Sequence, residues 1–142
     1  MANWYGAARS NYFRVSDLLG LDAVLQNTSI TICPNADGSL HCLLVEGSSE
    51  DGGWPSFVQI AAYEDEVEFD FAVHVMPFDA DGEVVVTMQS GHEKLRYVDG
   101  HAHAYVRRGE VVTECQLSLN DIYYLAAEKL GVTRNEITEC CY

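Results

Sequence analysis

The segment from Gly82 to Leu117 constrains the fold more than any other part of the chain. Its apolar residues recur at every second position, and residue pairs that end in glycine separate the runs. The alternating residues are Val84, Val86 and Met88, then Ala102, Ala104 and Val106, then Val111, Thr113, Cys115 and Leu117. The pairs Ser90-Gly91, Asp99-Gly100 and Arg108-Gly109 suit tight turns, because glycine readily adopts positive φ angles. The pattern predicts an antiparallel meander whose buried face carries these alternating residues.

Two segments outside the meander have helical spacing. In the first, Ser16 is a suitable N-cap, and in the second Ser118 has the same role ahead of a helix that stops at Gly131. The apolar residues at helical spacing are Leu18, Leu21, Val24 and Leu25 in the first helix, and Ile122, Leu125, Ala126 and Leu130 in the second. We expect the second helix to pack its apolar side on the sheet.

The remaining segments predict a hairpin and include one region whose secondary structure the pattern does not decide. Residues 29–33 and 39–46 flank turn-forming residues and predict two paired strands, and residues 12–15 predict a further strand. Residues 57–81 fit both a strand and a helix, and we favour the helix, which would complete a β-α-β-β-α-β order. Trp54, in a glycine-rich loop, is expected to cover the core. The predicted fold is α+β: an antiparallel sheet with two or three helices, ferredoxin-like in part.

The composition is that of a globular protein, and its unusual feature is a large excess of acidic residues. Its 142 residues, 48% of them apolar, are enough for one domain, which we expect to span residues 1–142. The 22 acidic residues outnumber 8 Lys and Arg, which gives a formal net charge of -14. Such a chain repels nucleic acids and anionic membranes at long range. We therefore expect no direct nucleic-acid binding, and no membrane span either, since no apolar run approaches roughly 18 residues.

The acidic residues are concentrated in one part of the chain. Between Arg14 and Lys94 there is no Lys or Arg, and eight acids lie between residues 64 and 83. These eight are Glu64, Asp65, Glu66, Glu68, Asp70, Asp79, Asp81 and Glu83. One interpretation is a solvated surface that aids solubility. The other is a surface that imitates phosphates and occupies a basic cleft on a partner. The acids at 79, 81 and 83 lack the spacing of a calcium loop.

Histidines and cysteines form no recognisable catalytic or metal-binding motif. His101 and His103 lie two residues apart on a predicted strand near His92, but a metal site needs three or four converging ligands. We interpret them, with Tyr105, as a polar stripe on the solvent face of the sheet. Five cysteines without C-x-x-C spacing, and the lack of a signal peptide, predict reduced thiols in the cytoplasm. The sequence predicts no metal and no cofactor. Four basic residues of the meander are expected to form surface ion pairs: Lys94, Arg96, Arg107 and Arg108.

Two segments resemble a group of small accessory proteins. The opening MANWYGAARSNYFRV and the later HEKLRYVDGHAHAYVRRGE are similar to small acidic proteins of phages, plasmids and integrative elements. The resemblance covers most of the chain. It implies an accessory protein that acts on a host defence system, as anti-restriction and anti-CRISPR proteins do. Several of those block a DNA-binding site with an acidic surface, but the resemblance assigns no role to any individual residue.

These observations predict a non-enzymatic, cytoplasmic inhibitor that imitates DNA. Its partner would be a basic, nucleic-acid-binding protein of a host defence system, bound through the acids from Glu64 to Glu83. The alternative is a protein-interaction module whose acidic surface only solubilises it. An enzyme that uses a His or Cys site is a third hypothesis. The sequence does not determine the oligomeric state.

Overall fold

The computed structural model describes residues 4–45, 53–59, 65–93 and 97–140, and confirms the predicted α+β class. In chain order the elements are β1 (Trp4–Ser10), α1 (Leu18–Leu25), β2 (Ile30–Pro34), β3 (His41–Val45), β4 (Phe57–Val58), β5 (Val67–Glu68), α2 (Phe71–His74), β6 (Val84–Glu93), β7 (Tyr97–Arg108), β8 (Val111–Ser118) and α3 (Asp121–Leu130). Short 3-10 turns follow α2 and α3, at Met76–Phe78 and Arg134–Glu136. None of the helices in these ranges combines the length and apolar character needed to cross a bilayer.

Six strands form one antiparallel sheet in the order β2-β3-β1-β6-β7-β8, and β4 pairs separately with β5. The meander β6-β7-β8 is the predicted one, with Gly109 at φ 63 in the turn between its last two strands. The prediction of turns at Ser90-Gly91 and Asp99-Gly100 is wrong, because these residues pair with each other inside β6 and β7. The predicted hairpin is β2-β3. The order β6-β1-β3-β2, with α1 after β1 and α2 in the β3–β6 connection, is the split β-α-β arrangement of ferredoxin-like folds. The strands β7 and β8 extend that unit on its β6 side.

The core lies on one face of the sheet, which we call the packed face. Its largest fully buried side chains come from β3, α1, the residues after α2 and the segment after β1: Leu43, Leu21, Leu25, Val75, Met76 and Phe13. The strand β6 contributes Val85 and Thr87, and β7 contributes Tyr105, whose ring stacks on Phe71 at 5.0 Å between centroids. The two helices that precede β6 therefore cover the same side of the sheet.

The opposite side, the open face, carries the residues predicted to be buried. Met88 is 60% exposed and Val84 is 52% exposed, whereas their neighbour Val85 is fully buried. The prediction of which face is buried is therefore wrong. Both faces of the run Val84–Met88 are largely apolar, so alternation establishes the strand without deciding its orientation. The aromatic residues of the α2 region decide it, because they pack against Tyr105.

Two further predictions fail near the N-terminus. Residues 12–15 form no strand and make only isolated bridges, from Phe13 to His41 and from Val15 to Asp79. Asp17 rather than Ser16 caps α1, since its carboxylate accepts a hydrogen bond from the Gly20 N–H at 2.9 Å. The Ser16 hydroxyl instead donates to backbone carbonyl oxygens near the end of the 3-10 turn.

Residues 57–81 and 118–140 also differ from expectation. The favoured long helix is only the four-residue α2, preceded by the short pair β4-β5, so both interpretations of that region are partly correct. The helix α3 ends as predicted, with Gly131 at φ 70 after it, but its predicted start is wrong, because Ser118 belongs to β8 and Asn120 is the N-cap residue. None of the side chains of α3 is buried, so the expectation that it packs on the sheet is wrong.

Candidate functional site

Four acids of the predicted surface form what we call the acidic stretch: Asp65, Glu66, Glu68 and Asp70. Exposure alternates along it. Val67 and Phe69 are half-buried, and the carboxylates that flank them are exposed. This period of two is that of an extended chain with one side on the protein and the other in solvent. The alternation directs Glu66, Glu68 and Asp70 outward on the same side. The predicted residue Glu64 lies outside the described ranges.

The acidic stretch is anchored by backbone pairing and by aromatic contacts. Glu68 pairs with Phe57 across β4-β5, and the Phe69 N–H donates to the Ser56 carbonyl oxygen at 2.8 Å. The Phe69 ring stacks on His74 at 5.8 Å and meets Phe71 edge-on. Trp54 is half-buried, as expected of a residue that covers the core, and also packs edge-on against Phe71. The acids therefore project from a segment fixed to the core.

The last acid of the stretch, Asp70, has a structural role as well. Its carboxylate accepts a hydrogen bond from the Ala72 N–H at 2.8 Å and so caps α2. Among the described residues, no Lys or Arg forms a salt bridge with any of the four acids of the stretch. No described cation therefore neutralises these four charges.

Asp79 does not belong to this surface. It is fully buried, and its Oδ1 accepts a hydrogen bond from Arg107 Nε at 2.9 Å. The same guanidinium donates to the carbonyl oxygens of Met76 and Asp79 at 2.9 and 2.7 Å. Burial raises the pKa of Asp79 from its ordinary value, and Arg107 opposes that rise. The prediction that Asp79 meets a partner is wrong, because its carboxylate joins β7 to the turn before β6.

Asp81 and Glu83 lie beside the same site and are also paired. Arg107 Nη1 is 3.6 Å from Asp81 Oδ1, which accepts the Gly109 N–H at 2.7 Å. Glu83 lies 3.6 Å from Arg14 Nε. The prediction of ion pairs by the basic residues of the meander agrees with this geometry at Arg107, although one carboxylate of its network is buried rather than on the surface. Arg108 forms no salt bridge with a described acid, and Lys94 and Arg96 lie outside the described ranges. The eight predicted acids therefore include four open ones, three paired ones and Glu64.

The histidines do not come together. His101 Nε2 contacts Asp99 Oδ2 at 2.8 Å, and the His103 ring stacks on Tyr105 at 5.8 Å. His92 stacks on Tyr5 across the open face. Across 4–45, 53–59, 65–93 and 97–140, no three His, Cys, Asp or Glu side chains are grouped as metal ligands.

The prediction that Tyr105 belongs to a polar stripe on the solvent face of the sheet is wrong. Tyr105 is buried on the packed face, between Phe71 and His103. Burial raises the pKa of Tyr105 to about 12, and the charges of Glu114 and Asp70 add to that rise. The four described cysteines, Cys33, Cys42, Cys115 and Cys140, are free thiols, and Cys141 lies outside the described ranges.

A shallow apolar groove on the open face is a feature that the sequence did not predict. Its volume is about 600 Å³, and its lining includes Ala7, Met88, Ser90, Ala102, Leu117 and Leu119. None of its described lining residues is acidic, in a chain with a net charge of -14. The groove was missed because its residues were assigned to the core. Its chemistry suits an apolar surface rather than a charged ligand.

Comparison with known proteins identifies no relative of this chain. No protein-family model, no curated protein and no solved structure matches it. Its function is therefore inferred from the acidic stretch, the paired acids and the open face.

Proposed function

We propose that this protein is a non-enzymatic inhibitor that binds the basic nucleic-acid site of another cytoplasmic protein through the acidic stretch. The observation that carries the proposal is the alternation at residues 65–70, which turns three carboxylates to solvent along one side of an anchored, extended segment. A surface that only needed to be soluble would not require its acids in one row. The free thiols are in keeping with a reducing compartment.

The spacing of the row supports imitation of a phosphate backbone. In an extended chain, residues two apart are separated by about 6.6 Å. Along one strand of a duplex, each phosphate rises by about 3.4 Å of axis and also turns around the axis, so successive phosphates lie farther apart than this rise. The separation of Glu66, Glu68 and Asp70 is therefore of the same order as that of successive phosphates. Lys and Arg side chains that bind successive phosphates could contact these carboxylates instead.

The partner that fits this surface is a basic, nucleic-acid-binding protein of a host defence system. A net charge of -14 draws the chain toward a positively charged cleft and accelerates the encounter. The same charge repels DNA and RNA, so the inhibitor competes with nucleic acid rather than binding it. Asp81 and Glu83 add to the long-range field but contribute less at close contact, because Arg107 and Arg14 already lie beside them.

The test is a charge-neutralised variant with its size and cap preserved. Glu66→Gln, Glu68→Gln and Asp70→Asn together remove three charges, and Asn retains the N-cap of α2. The basic protein captured by immobilised wild type is purified, and its binding is measured from about 0.05 to 1 M salt, with duplex DNA as competitor. Wild-type binding should weaken as salt shortens the Debye length from about 10 Å at 0.1 M to about 3 Å at 1 M. The triple variant should bind at least tenfold more weakly.

A matched control changes the same number of charges elsewhere. Asp22, Glu110 and Glu128 are exposed and lie on three other elements, so Asp22→Asn, Glu110→Gln and Glu128→Gln should leave binding within about twofold, because rim charges alter affinity little. Equal loss in the two triple variants would mean that only net charge matters. Binding that is insensitive to salt and to DNA would contradict the proposal and favour the alternative, in which the acids only solubilise an interaction module.

A further inference from the structure

The C-terminal part of the chain lacks a core of its own. Every buried residue in the described part of the chain lies at or before Tyr105, and none of the residues from 106 to 140 is buried. The helix α3 has ten residues and no buried side chain, although isolated helices shorter than about 12–15 residues are marginal in water. Large apolar side chains are exposed along this region: Val111, Leu117, Leu119, Ile122, Tyr124 and Leu125. A second surface is needed to cover it.

The strand β8 offers an unprotected edge to such a surface. It pairs with β7 on one side, and no other described strand pairs with its outer side. Its sequence, VVTECQLS, is eight residues long and contains no Pro and no Lys, the residues that commonly protect an edge. The other edge of the sheet, β2, is five residues long and ends at Pro34. The two edges therefore differ in their ability to pair with another strand.

The outward backbone groups of β8 can be assigned from its pairing with β7. The Leu119 N–H donates to the Gly100 carbonyl oxygen at 2.9 Å, and antiparallel pairs alternate between bonded and non-bonded. The odd-numbered residues of β8 therefore bond to β7, and the even-numbered residues direct their N–H and C=O groups outward. The Ser118 N–H agrees with this, since it donates to the Asp121 carboxylate at 2.6 Å instead of to β7.

We propose that β8 pairs with β8 of a second copy of this chain, antiparallel, about a two-fold axis that passes through Cys115 perpendicular to the sheet. The six-stranded sheet of one protomer then continues into that of its partner. Such an interface is self-complementary, because each contact occurs twice. The outward groups of Glu114 and Gln116 supply its backbone hydrogen bonds.

The register follows from charge. The two-fold axis keeps the open faces of both protomers on the same side, so odd residues oppose odd residues and even oppose even. An axis through Glu114 would place that carboxylate opposite its own copy, which is unfavourable. An axis through Cys115 places Glu114 opposite Gln116 and Thr113 opposite Leu117, so pairing extends from Thr113 to Leu117. It also brings the two Cys115 side chains together at a non-hydrogen-bonded pair.

The composition and area of the region suit a second copy. Glu114 is the one acid in β8, and the open face of β6, β7 and β8 has none at its described positions, so two highly acidic chains can approach there. The six exposed side chains named above offer roughly 300–500 Å² of apolar surface, at about 60–120 Å² per aliphatic side chain and 150–250 Å² per aromatic ring. A standard interface of about 800 Å² per partner, about 57% apolar, needs roughly 450 Å².

The first test measures the oligomeric state. Sedimentation velocity of the full chain from about 1 to 100 μM should show a concentration-dependent dimer. Cys115→Lys places two cations opposite each other at the axis and should weaken the dimer at least 100-fold, whereas Cys115→Ser should preserve it. Cys115 is exposed, so neither change disturbs the core. A monomer at every concentration would overturn the proposal. The edge of β8 would then be a candidate for pairing with a strand of a different protein.

The second test checks the register independently of affinity. Cα atoms of a non-hydrogen-bonded pair are about 4.5 Å apart, within the range of about 4.4–6.8 Å that a disulfide spans. Diamide takes up the two electrons and two protons released when two Cys115 thiols form one S–S bond. Cross-linked dimer should form in wild type and in Cys140→Ser, and disappear in Cys115→Ser. Cross-linking that persists in Cys115→Ser, or a dimer unaffected by Cys115→Lys, would overturn the assignment to β8.

Discussion

Residues 4–105 and residues 106–140 are stabilised by different kinds of contact. The first region, the packed region, places α1, α2 and the segments around them on one face of the sheet and buries a continuous apolar cluster. The second, the open region, contains all of β8 and α3, yet buries no side chain. Regular secondary structure thus forms in both, but tertiary packing accompanies it in only one. The difference indicates that the open region depends on backbone pairing and local contacts.

Local contacts are dense in the open region. Thr133 and Glu136 form a capping box, in which the Glu136 carboxylate accepts the Thr133 N–H at 2.6 Å. The Arg134 guanidinium lies 4.3 Å from the centre of the Tyr123 ring, and the Tyr123 hydroxyl oxygen accepts the Cys140 N–H at 2.7 Å. Each such contact is exposed and contributes little alone. The open region should therefore tolerate substitutions that the packed region does not.

The largest effect should come from a cavity in the packed region. Phe13 is 1% exposed, and its backbone exchanges two hydrogen bonds of 2.9 Å with His41. Phe13→Ala should lower the free energy of unfolding by about 3–5 kcal/mol, because the surrounding core cannot fill the space. Urea denaturation followed by circular dichroism measures this. A cost below about 1 kcal/mol would mean that the packed region is not a rigid core.

A nearly equal loss of stability is expected when Arg107 of β7, the partner of the buried Asp79 carboxylate, is replaced. Arg107→Met removes the cation beside Asp79 and should cost about 3 kcal/mol at neutral pH. Arg108→Met, at the exposed neighbouring position, is the control and should cost less than about 0.5 kcal/mol.

The pH dependence of the Arg107 variant has a definite sign. Burial, Asp81 and Glu83 all raise the pKa of Asp79, so the folded chain holds this proton to a higher pH than the unfolded chain. Stability from this group is greatest below its ordinary pKa and falls as pH rises through the folded value. Without Arg107 the pKa rises further, so the cost of Arg107→Met should grow from pH 4 to pH 7. A constant cost would show that the lost packing dominates.

A smaller loss of stability should appear at alkaline pH, again from a residue of the packed region. Tyr105, with a pKa of about 12, stays protonated in the folded chain after an unfolded tyrosine has ionised at about 10. Stability from this group is complete below pH 10 and is lost as pH rises through 12. Wild type should therefore lose about 1 kcal/mol by pH 11 relative to Tyr105→Phe. If the free energy of unfolding of the two proteins changed equally with pH across this range, the result would contradict the burial of Tyr105.

The smallest effect is expected in the open region. Leu125 is 49% exposed, so Leu125→Ala should change the free energy of unfolding by about 0.5 kcal/mol or less when both proteins carry Cys115→Lys, which keeps the chain monomeric. Sequence periodicity alone predicts a buried residue and a cost of about 2–5 kcal/mol. A measured cost above 2 kcal/mol would remove the distinction between the two regions.

Local signals in the sequence correctly predicted most elements. Alternation located β6, β7 and β8, Arg108-Gly109 marked the turn between the last two, and Gly131 marked the end of α3, because turns and caps depend on neighbouring residues. The other two glycine pairs, Ser90-Gly91 and Asp99-Gly100, lie inside strands. Residues 57–81 were ambiguous since their apolar positions fit two periods at once. The acids at 65–70 were also singled out by the sequence, but their position in the chain did not separate them from the paired acids Asp79, Asp81 and Glu83.

By itself, then, the sequence determined the α+β class, the meander, the C-terminal end of α3 and the strong negative charge. Only the tertiary structure decided which face of the meander is buried, because Val84–Met88 is largely apolar on both sides and Phe71 reaches Tyr105 from a distant segment. It also decided which acids remain open, since Arg107 lies 28 residues from Asp79. Periodicity and charge are properties of neighbouring residues, whereas burial and ion pairing depend on contacts between segments that are far apart in the chain.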